Sequence, residues 1–162
     1  MLRGRLELPL GGQRISISGG PFDAMPAGAR GLCLEARAAR LAEAEWQLDV
    51  PDFGLPDEAA LRAVLADMLE AMRAAPDGAY HIGCKAGLGR TGTAMACLAI
   101  LAGAVQGDPV AWLRAAYNAE AIETPAQEDF VRRFCARGFG PLRSFQDQEK
   151  RDAPNPRSPD HC

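Results

Sequence analysis

Apolar and polar residues alternate over Arg14-Ile-Ser-Ile-Ser18, the period of a half-buried strand. Gly31-Leu-Cys-Leu-Glu35 predicts a second strand and Trp46 to Val50 a third, with a short helix between them over Arg37 to Glu45. Pro51-Asp-Phe-Gly-Leu-Pro56 reads as a loop, because Pro and Gly punctuate it. The clearest periodicity follows: Leu61, Val64, Leu65, Met68, Leu69 and Met72 recur at helical spacing and make one apolar face. Pro56, Asp57 and Glu58 suit its first turn, and Pro76-Asp-Gly78 ends it. Ala79 to Gly83 is short and bounded by turn residues, as a buried strand is. Thr91 to Ala104 is small and apolar throughout and predicts a buried helix. Asp108 and Pro109 read as N-cap and first residue of another helix, with Val110, Leu113 and Tyr117 inward. Thr124-Pro-Ala-Gln127 opens a last helix, with Phe130, Val131 and Phe134 on its apolar face.

Strands alternating with helices, followed by a run of helices, predict an α/β fold: a single domain with a mostly parallel central sheet flanked by helices. A chain of 162 residues suits one domain. From Ser144 onward the sequence is polar and proline-bearing, so the expected division is a folded domain over 1–143 and a flexible polar tail over 144–162.

Composition changes the picture in three places. The net charge of -3 argues against a general nucleic-acid binder. No stretch approaches the roughly 18 uninterrupted apolar residues of a membrane span. The first residues, Met1 to Gly12, hold no apolar run of the kind a secretory signal needs, so a cytoplasmic location is expected. The five cysteines, Cys33, Cys84, Cys97, Cys135 and Cys162, are odd in number and irregular in spacing, and only His81 and His161 accompany them. That argues against a zinc site and against a disulfide scaffold. The expectation is reduced thiols, no metal and no cofactor, with one of the thiols a nucleophile.

Cys84 and Arg90 are separated by five residues. Alone the spacing is weak, because chance matches of this kind arise in about half of such chains. The positions six after Cys33, Cys97 and Cys135 are Ala39, Gly103 and Pro141, so Cys84 stands apart. Its context strengthens it. Lys85, Ala86, Gly87, Leu88 and Gly89 lie between a predicted strand and a predicted helix, and the two glycines let backbone N–H groups curl inward as a nest for an anion. A helix N-terminus favours negative charge, and Arg90 can hold two phosphate oxygens in a fixed fork. The same positive surroundings favour the thiolate of Cys84, the reactive form. Thr91 offers it a hydroxyl hydrogen bond. Lys85 either raises the local potential or is simply solvated.

His81-Ile-Gly-Cys-Lys-Ala-Gly-Leu-Gly-Arg-Thr-Gly92 resembles the phosphate-binding loop of the cysteine-dependent protein tyrosine and dual-specificity phosphatases. The resemblance implies a phosphatase fold of that kind and a phosphocysteine mechanism without metal, acting on a phosphorylated protein or a small phosphomonoester. One residue departs from the pattern. The family usually carries a histidine immediately before the cysteine, where this chain has Gly83, and its own His81 lies three positions upstream. Whether His81 replaces that histidine or is a strand residue facing a neighbour stays open.

The resemblance also implies a general acid on an upstream loop. Val50-Pro-Asp-Phe-Gly-Leu-Pro56 is similar to that loop and makes Asp52 the candidate; Asp49, in Trp46-Gln-Leu-Asp49, is the alternative. Either Asp equally suits loop capping. Many members use a late Gln to orient the hydrolytic water, and Ala121-Ile-Glu-Thr-Pro-Ala-Gln127 resembles that segment, which points to Gln127. Thr124 and Gln127 also have the spacing of a capping box, so both readings stand. Oxidative pairing of Cys33 with Cys84 is a further option. The reading that results is a protein-tyrosine or dual-specificity phosphatase. Its rivals are a phosphatase of inositol phosphates, phosphoinositides or nucleotides, a phosphate-binding module without catalysis, and a sulfur-transfer loop. Oligomeric state is not legible.

Overall fold

The computed structural model describes residues 1–137. The expected domain end at 143, the tail over 144–162, His161 and Cys162 lie outside the described residues.

The chain opens with a hairpin, β1 (Gly4–Leu10) and β2 (Gln13–Pro21), paired antiparallel. Leu6, Leu8 and Leu10 alternate with exposed residues, and Gly11 and Gly12 both take positive φ, as a two-residue turn of matching twist requires. Pro9 is tolerated because β1 is an edge strand. Then come β3 (Arg30–Cys33), β4 (Trp46–Gln47), α1 (Glu58–Ala74), β5 (Tyr80–Cys84), α2 (Gly89–Leu101), α3 (Pro109–Ala116) and α4 (Pro125–Ala136). The sheet order is β1-β2-β5-β3-β4. β5 runs parallel to both β2 and β3, and β4 parallel to β3, so the sheet is mostly parallel. Central placement explains why all five residues of β5 are buried.

Alternation along β5 divides its surroundings. Tyr80, Ile82 and Cys84 join the main core with the helices, which includes Leu6, Ile17, Leu65, Met68, Leu98 and Phe134. His81 and Gly83 point to the other face, where the short 3-10 turn Phe22–Ala24 packs and Phe22, Met25 and Cys33 form a smaller cluster. Helices therefore cover one face, and turns cover the other.

α2 runs from the end of β5 through the main core, packed against α1, α3 and α4. Nearly all of it is buried, which its small residues permit. A side chain at Gly92 would come within 2.9 Å of the Ala121 Cβ. α1 buries Leu61, Leu65, Met68, Leu69 and Met72 and is capped by the Asp57 carboxylate, which accepts from the Ala60 N–H at 2.9 Å.

Two expectations are corrected. The predicted helix over Arg37 to Glu45 is a series of turns with a 3-10 turn at Leu41–Glu43. Its amides are bound elsewhere: Ala39 and Arg40 N–H donate to the Asp23 carboxylate at 3.2 and 2.9 Å. The thiols are not all reduced, because Cys135 is disulfide-bonded. Cys33, Cys84 and Cys97 are free and buried.

Candidate active site

β5 delivers Cys84 to its C-terminal end and α2 begins five residues later, so Lys85 to Leu88 form a tight connecting loop. Gly87 is required there twice over. Its φ is +90°, which disfavours a side chain, and a Cβ would stand 2.3 Å from the Gly20 Cα. The turn brings the Gly87 N–H to 3.1 Å from the Cys84 sulfur, and the Thr91 hydroxyl donates to the same atom at 3.2 Å. Two donors thus converge on one sulfur at a helix start with no side-chain cap. Lys85 is exposed, and Ala86 and Leu88 are half-buried.

Arg90 lies in the first turn of α2 with only 4% of its surface exposed. Its Nη1 donates to Glu35 Oε1 at 3.0 Å, to the Val50 carbonyl at 2.7 Å and to the Leu34 carbonyl at 3.4 Å. Its Nη2 has only Asp52 Oδ1, at 3.3 Å and out of hydrogen-bond alignment, so a buried donor is left unsatisfied. A buried donor of this kind costs roughly 1–3 kcal/mol or more unless something accepts from it. An oxyanion held in the loop would accept from it.

Glu35 is the residue that reading the sequence missed. Its carboxylate bridges Arg90 through one oxygen and, through the other, Arg37 Nε at 3.2 Å and the Arg37 N–H at 3.0 Å. The Arg37 N–H leads in holding its pKa below the usual carboxylate range; burial opposes this, and the two guanidinium groups add to it. The signal available was a lone acid closing an apolar strand. Tyr117 was read as a core residue only. It is buried, and its hydroxyl also donates to the Gly87 carbonyl at 2.7 Å, pinning the loop from α3. Burial, and secondarily the Cys84 charge, push its pKa up. Gly19 leaves its place, since a Cβ there would meet the Tyr117 hydroxyl. Arg3 Nε donates to the Ala86 carbonyl at 3.1 Å.

Of the two aspartates, Asp52 faces Arg90, and Asp49 lines a separate small cavity of about 60 Å³ with Leu41 and Gln47. Asp52 sits in a turn closed by the Gly54 N–H on the Pro51 carbonyl at 2.8 Å, and its neighbour Phe53 has a φ of 58°. Gln127 is fully buried. Its Oε1 accepts from the Glu123 and Thr124 N–H groups at 2.8 and 3.2 Å, completing a capping box, and its Nε2 donates to the Gly54 carbonyl at 3.3 Å. It thereby ties the Asp52 loop to α4.

His81 faces away from Cys84. Its ring lies 2.9 Å from Ser18 Oγ and 3.2 Å from the Pro21 carbonyl. A carbonyl only accepts, so Nε2 carries the proton towards Pro21, and the Ser18 hydroxyl divides its one hydrogen between Nδ1 and the Tyr80 carbonyl at 3.2 Å. Burial lowers its pKa to about 4. Gly83 also has a steric reason: a Cβ there would stand 2.5 Å from the Phe22 Cα. The turn at Phe22–Ala24 takes the room a larger residue before Cys84 would need. Cys33 donates to the Glu35 carbonyl at 3.2 Å and belongs to the Phe22 cluster, across the sheet from the Cys84 face. Among the described residues no group of three or more His, Cys, Asp or Glu side chains is placed to hold a metal ion. No helix there is long and apolar enough to cross a membrane.

No protein-family model matches the sequence, and no curated protein sequence matches it significantly. Solved structures do share its fold. A kinase associated phosphatase with its catalytic-site cysteine changed to serine superposes with a TM-score of 0.66 at 16% identity, covering 89% of this chain and 97% of that one. Tk-PTP in its active form gives 0.60 at 21% identity, covering 76% and 92%. PTPMT1 gives 0.54 at 17% identity, covering 86% and 95%. The chain has the fold of the tyrosine and dual-specificity phosphatases, as a single α/β domain with a mostly parallel sheet.

Proposed function

We propose that this protein is a cysteine-dependent phosphomonoesterase of the protein-tyrosine or dual-specificity type. The observation that carries the reading is the Cys84 sulfur receiving two hydrogen bonds in a loop that ends on a buried arginine with one donor free. The fold shared with phosphatases, the kinase associated phosphatase among them, supports it.

The residues take these roles. Loop amides from Lys85 to Gly89 and the Arg90 guanidinium hold the three non-bridging phosphate oxygens. The Cys84 thiolate attacks phosphorus in line, an S–P bond forms and the P–O ester bond breaks. Asp52, protonated, gives its proton to the leaving oxygen, a step worth typically about 10²–10⁴-fold. Water then attacks the phosphocysteine, Asp52 takes its proton, and phosphate leaves with the thiolate restored. Thr91 stabilises that thiolate as it departs. Gln127 holds the Asp52 loop in place; orienting the water would require its amide to leave the capping box. Every step proceeds without a metal or organic cofactor.

Hydrolysis of p-nitrophenyl phosphate, with EDTA present and vanadate as competitor, tests the reading. Wild type is expected to turn over, vanadate to compete, and Cys84→Ser to lose activity by about 10³-fold or more. Full activity in Cys84→Ser, or loss of wild-type activity on adding EDTA, would overturn the cysteine mechanism.

A further inference from the structure

Two side chains from outside the Cys84 loop hold its carbonyls. The Tyr117 hydroxyl, from the C-terminal cap of α3, donates to the Gly87 carbonyl at 2.7 Å, and Arg3 Nε, just before β1, donates to the Ala86 carbonyl at 3.1 Å. Room for the tyrosine is built into the first hairpin. Gly4 and Gly19 are cross-strand partners. A Cβ on Gly4 would come within 3.1 Å of the Tyr117 ring, and one on Gly19 would meet its hydroxyl. Two facing glycines thus open a slot through which a side chain of α3 reaches the loop. Burial first, and then the Cys84 charge, push the Tyr117 pKa up, so the hydroxyl keeps its proton to donate. Arg3 is steadied through its backbone: its N–H donates to the Gly19 carbonyl at 2.7 Å, and its carbonyl accepts from Asn118 Nδ2 at 2.8 Å.

What these bonds fix is the direction of the loop's N–H groups. A trans peptide is planar, and its carbonyl and N–H point opposite ways. With the Ala86 carbonyl turned out to Arg3, the Gly87 N–H turns in and lies 3.1 Å from the Cys84 sulfur. With the Gly87 carbonyl turned to Tyr117, the Leu88 N–H points away from α3, into the concave side of the loop. Both planes meet at Gly87, whose φ is +90° and whose backbone is the freest of any residue type, so this joint most needs an external hold. An anion nest works only when its amides are aimed before the anion arrives. We propose that Tyr117 and Arg3 are positioning residues that set the two peptide planes at Gly87, and with them the affinity of the loop for a phosphate dianion. This rests on the phosphate-binding part of the reading above and adds to it what aims the amides.

The test titrates inorganic phosphate into wild type, Tyr117→Phe and Arg3→Ala by calorimetry, and measures kcat/KM for p-nitrophenyl phosphate on the same proteins. Tyr117→Phe keeps the ring in its slot and removes only the hydroxyl; Arg3 is exposed, so its variant keeps the question open to measurement even if Tyr117→Phe melts. Phosphate should bind Tyr117→Phe about 10-fold more weakly, the change expected when one hydrogen bond holds the competent orientation, and kcat/KM should fall with it. Arg3→Ala, which loses an exposed bond, should weaken phosphate about 3-fold. It should also slow alkylation of Cys84 by iodoacetamide, read at that residue by mass spectrometry, because the Gly87 N–H leaves the sulfur. A phosphate affinity in Tyr117→Phe within 2-fold of wild type, whatever its melting temperature, makes Tyr117 a packing residue and overturns the proposal. Arg3→Ala with affinity and alkylation both unmoved overturns the part given to Arg3. Phosphate binding that depends on Tyr117, with no turnover of p-nitrophenyl phosphate by wild type, sustains the positioning role and counts against the phosphatase reading; turnover with a Tyr117-independent affinity does the reverse. A wild type that binds no phosphate overturns both.

Discussion

Arg90 meets two carboxylates, Glu35 through Nη1 at 3.0 Å and Asp52 through Nη2 at 3.3 Å, and they differ in almost every other respect. The Glu35 side chain is 9% exposed, and two further donors from Arg37, with the Leu34 and Val50 carbonyls on Arg90, fix the arrangement around it. The Asp52 side chain is 42% exposed, sits in a turn beside a residue of positive φ, and approaches Arg90 without hydrogen-bond alignment. One carboxylate is built to stay and the other to move. In the reaction proposed, Asp52 gains and loses a proton in each turnover, which a group locked in a buried ion pair could not do, because the charge it surrenders would leave its partner uncompensated. The arginine, by contrast, must be preorganised before substrate arrives. The division of labour follows from burial alone.

Swapping the two losses breaks the comparison most directly. Glu35→Ala strands the buried Arg90 charge, and the expected cost is about 3–5 kcal/mol in urea denaturation. Asp52→Asn should change stability by no more than about 1 kcal/mol, since the Asp52 side chain is 42% exposed and makes no aligned hydrogen bond to Arg90. It should instead lower the rate about 10²–10⁴-fold and erase the basic limb of the pH profile, because a protonated acid is no longer used. If Asp49→Asn erases that limb and Asp52→Asn does not, the general acid is misassigned.

The acid side of the profile needs His81 separated from the site. Its folded pKa, about 4, lies below the ordinary 6.5, so unfolding takes up a proton between these values. Its contribution is present above pH 6.5 and lost as pH falls from 6.5 to 4, by up to about 3 kcal/mol. Thermal melts across that range should show the decline, and His81→Gln should flatten it. An unchanged slope in His81→Gln would place the acid sensitivity elsewhere.

The smallest effect concerns the tether that limits Asp52. Gln127→Ala removes a cap partner and the bond to the Gly54 carbonyl, and should cost about 1 kcal/mol in stability. With the amide acting as cap and tether, the pre-steady-state burst of p-nitrophenol should keep its wild-type amplitude. A larger burst, with slower dephosphorylation, would assign the same amide to the hydrolytic water.

Much of this was legible because it is local. The apolar face of α1, the caps at Asp108 and Thr124 and the spacing of Cys84, two glycines and Arg90 are written within a dozen residues each. Thr91 could be named as a donor to Cys84 because a strand–loop–helix connection brings residues seven apart together. The expected helix over Arg37 to Glu45 is interrupted for a non-local reason: the Ala39 and Arg40 amides at its middle belong to Asp23. Glu35 and Tyr117 escaped for the same reason, since each acts across 30 residues or more.

The sequence by itself determined the loop that carries Cys84, because its geometry is short-range: one strand end, one positive-φ glycine and one helix start. Tertiary structure alone decided which aspartate faces Arg90, which acid anchors it, and why glycine precedes Cys84. Those outcomes depend on how β3, the Phe22 turn and α3 close around β5, and that closure is set by burial and steric fit between segments far apart in the chain. No periodicity within a single segment encodes it.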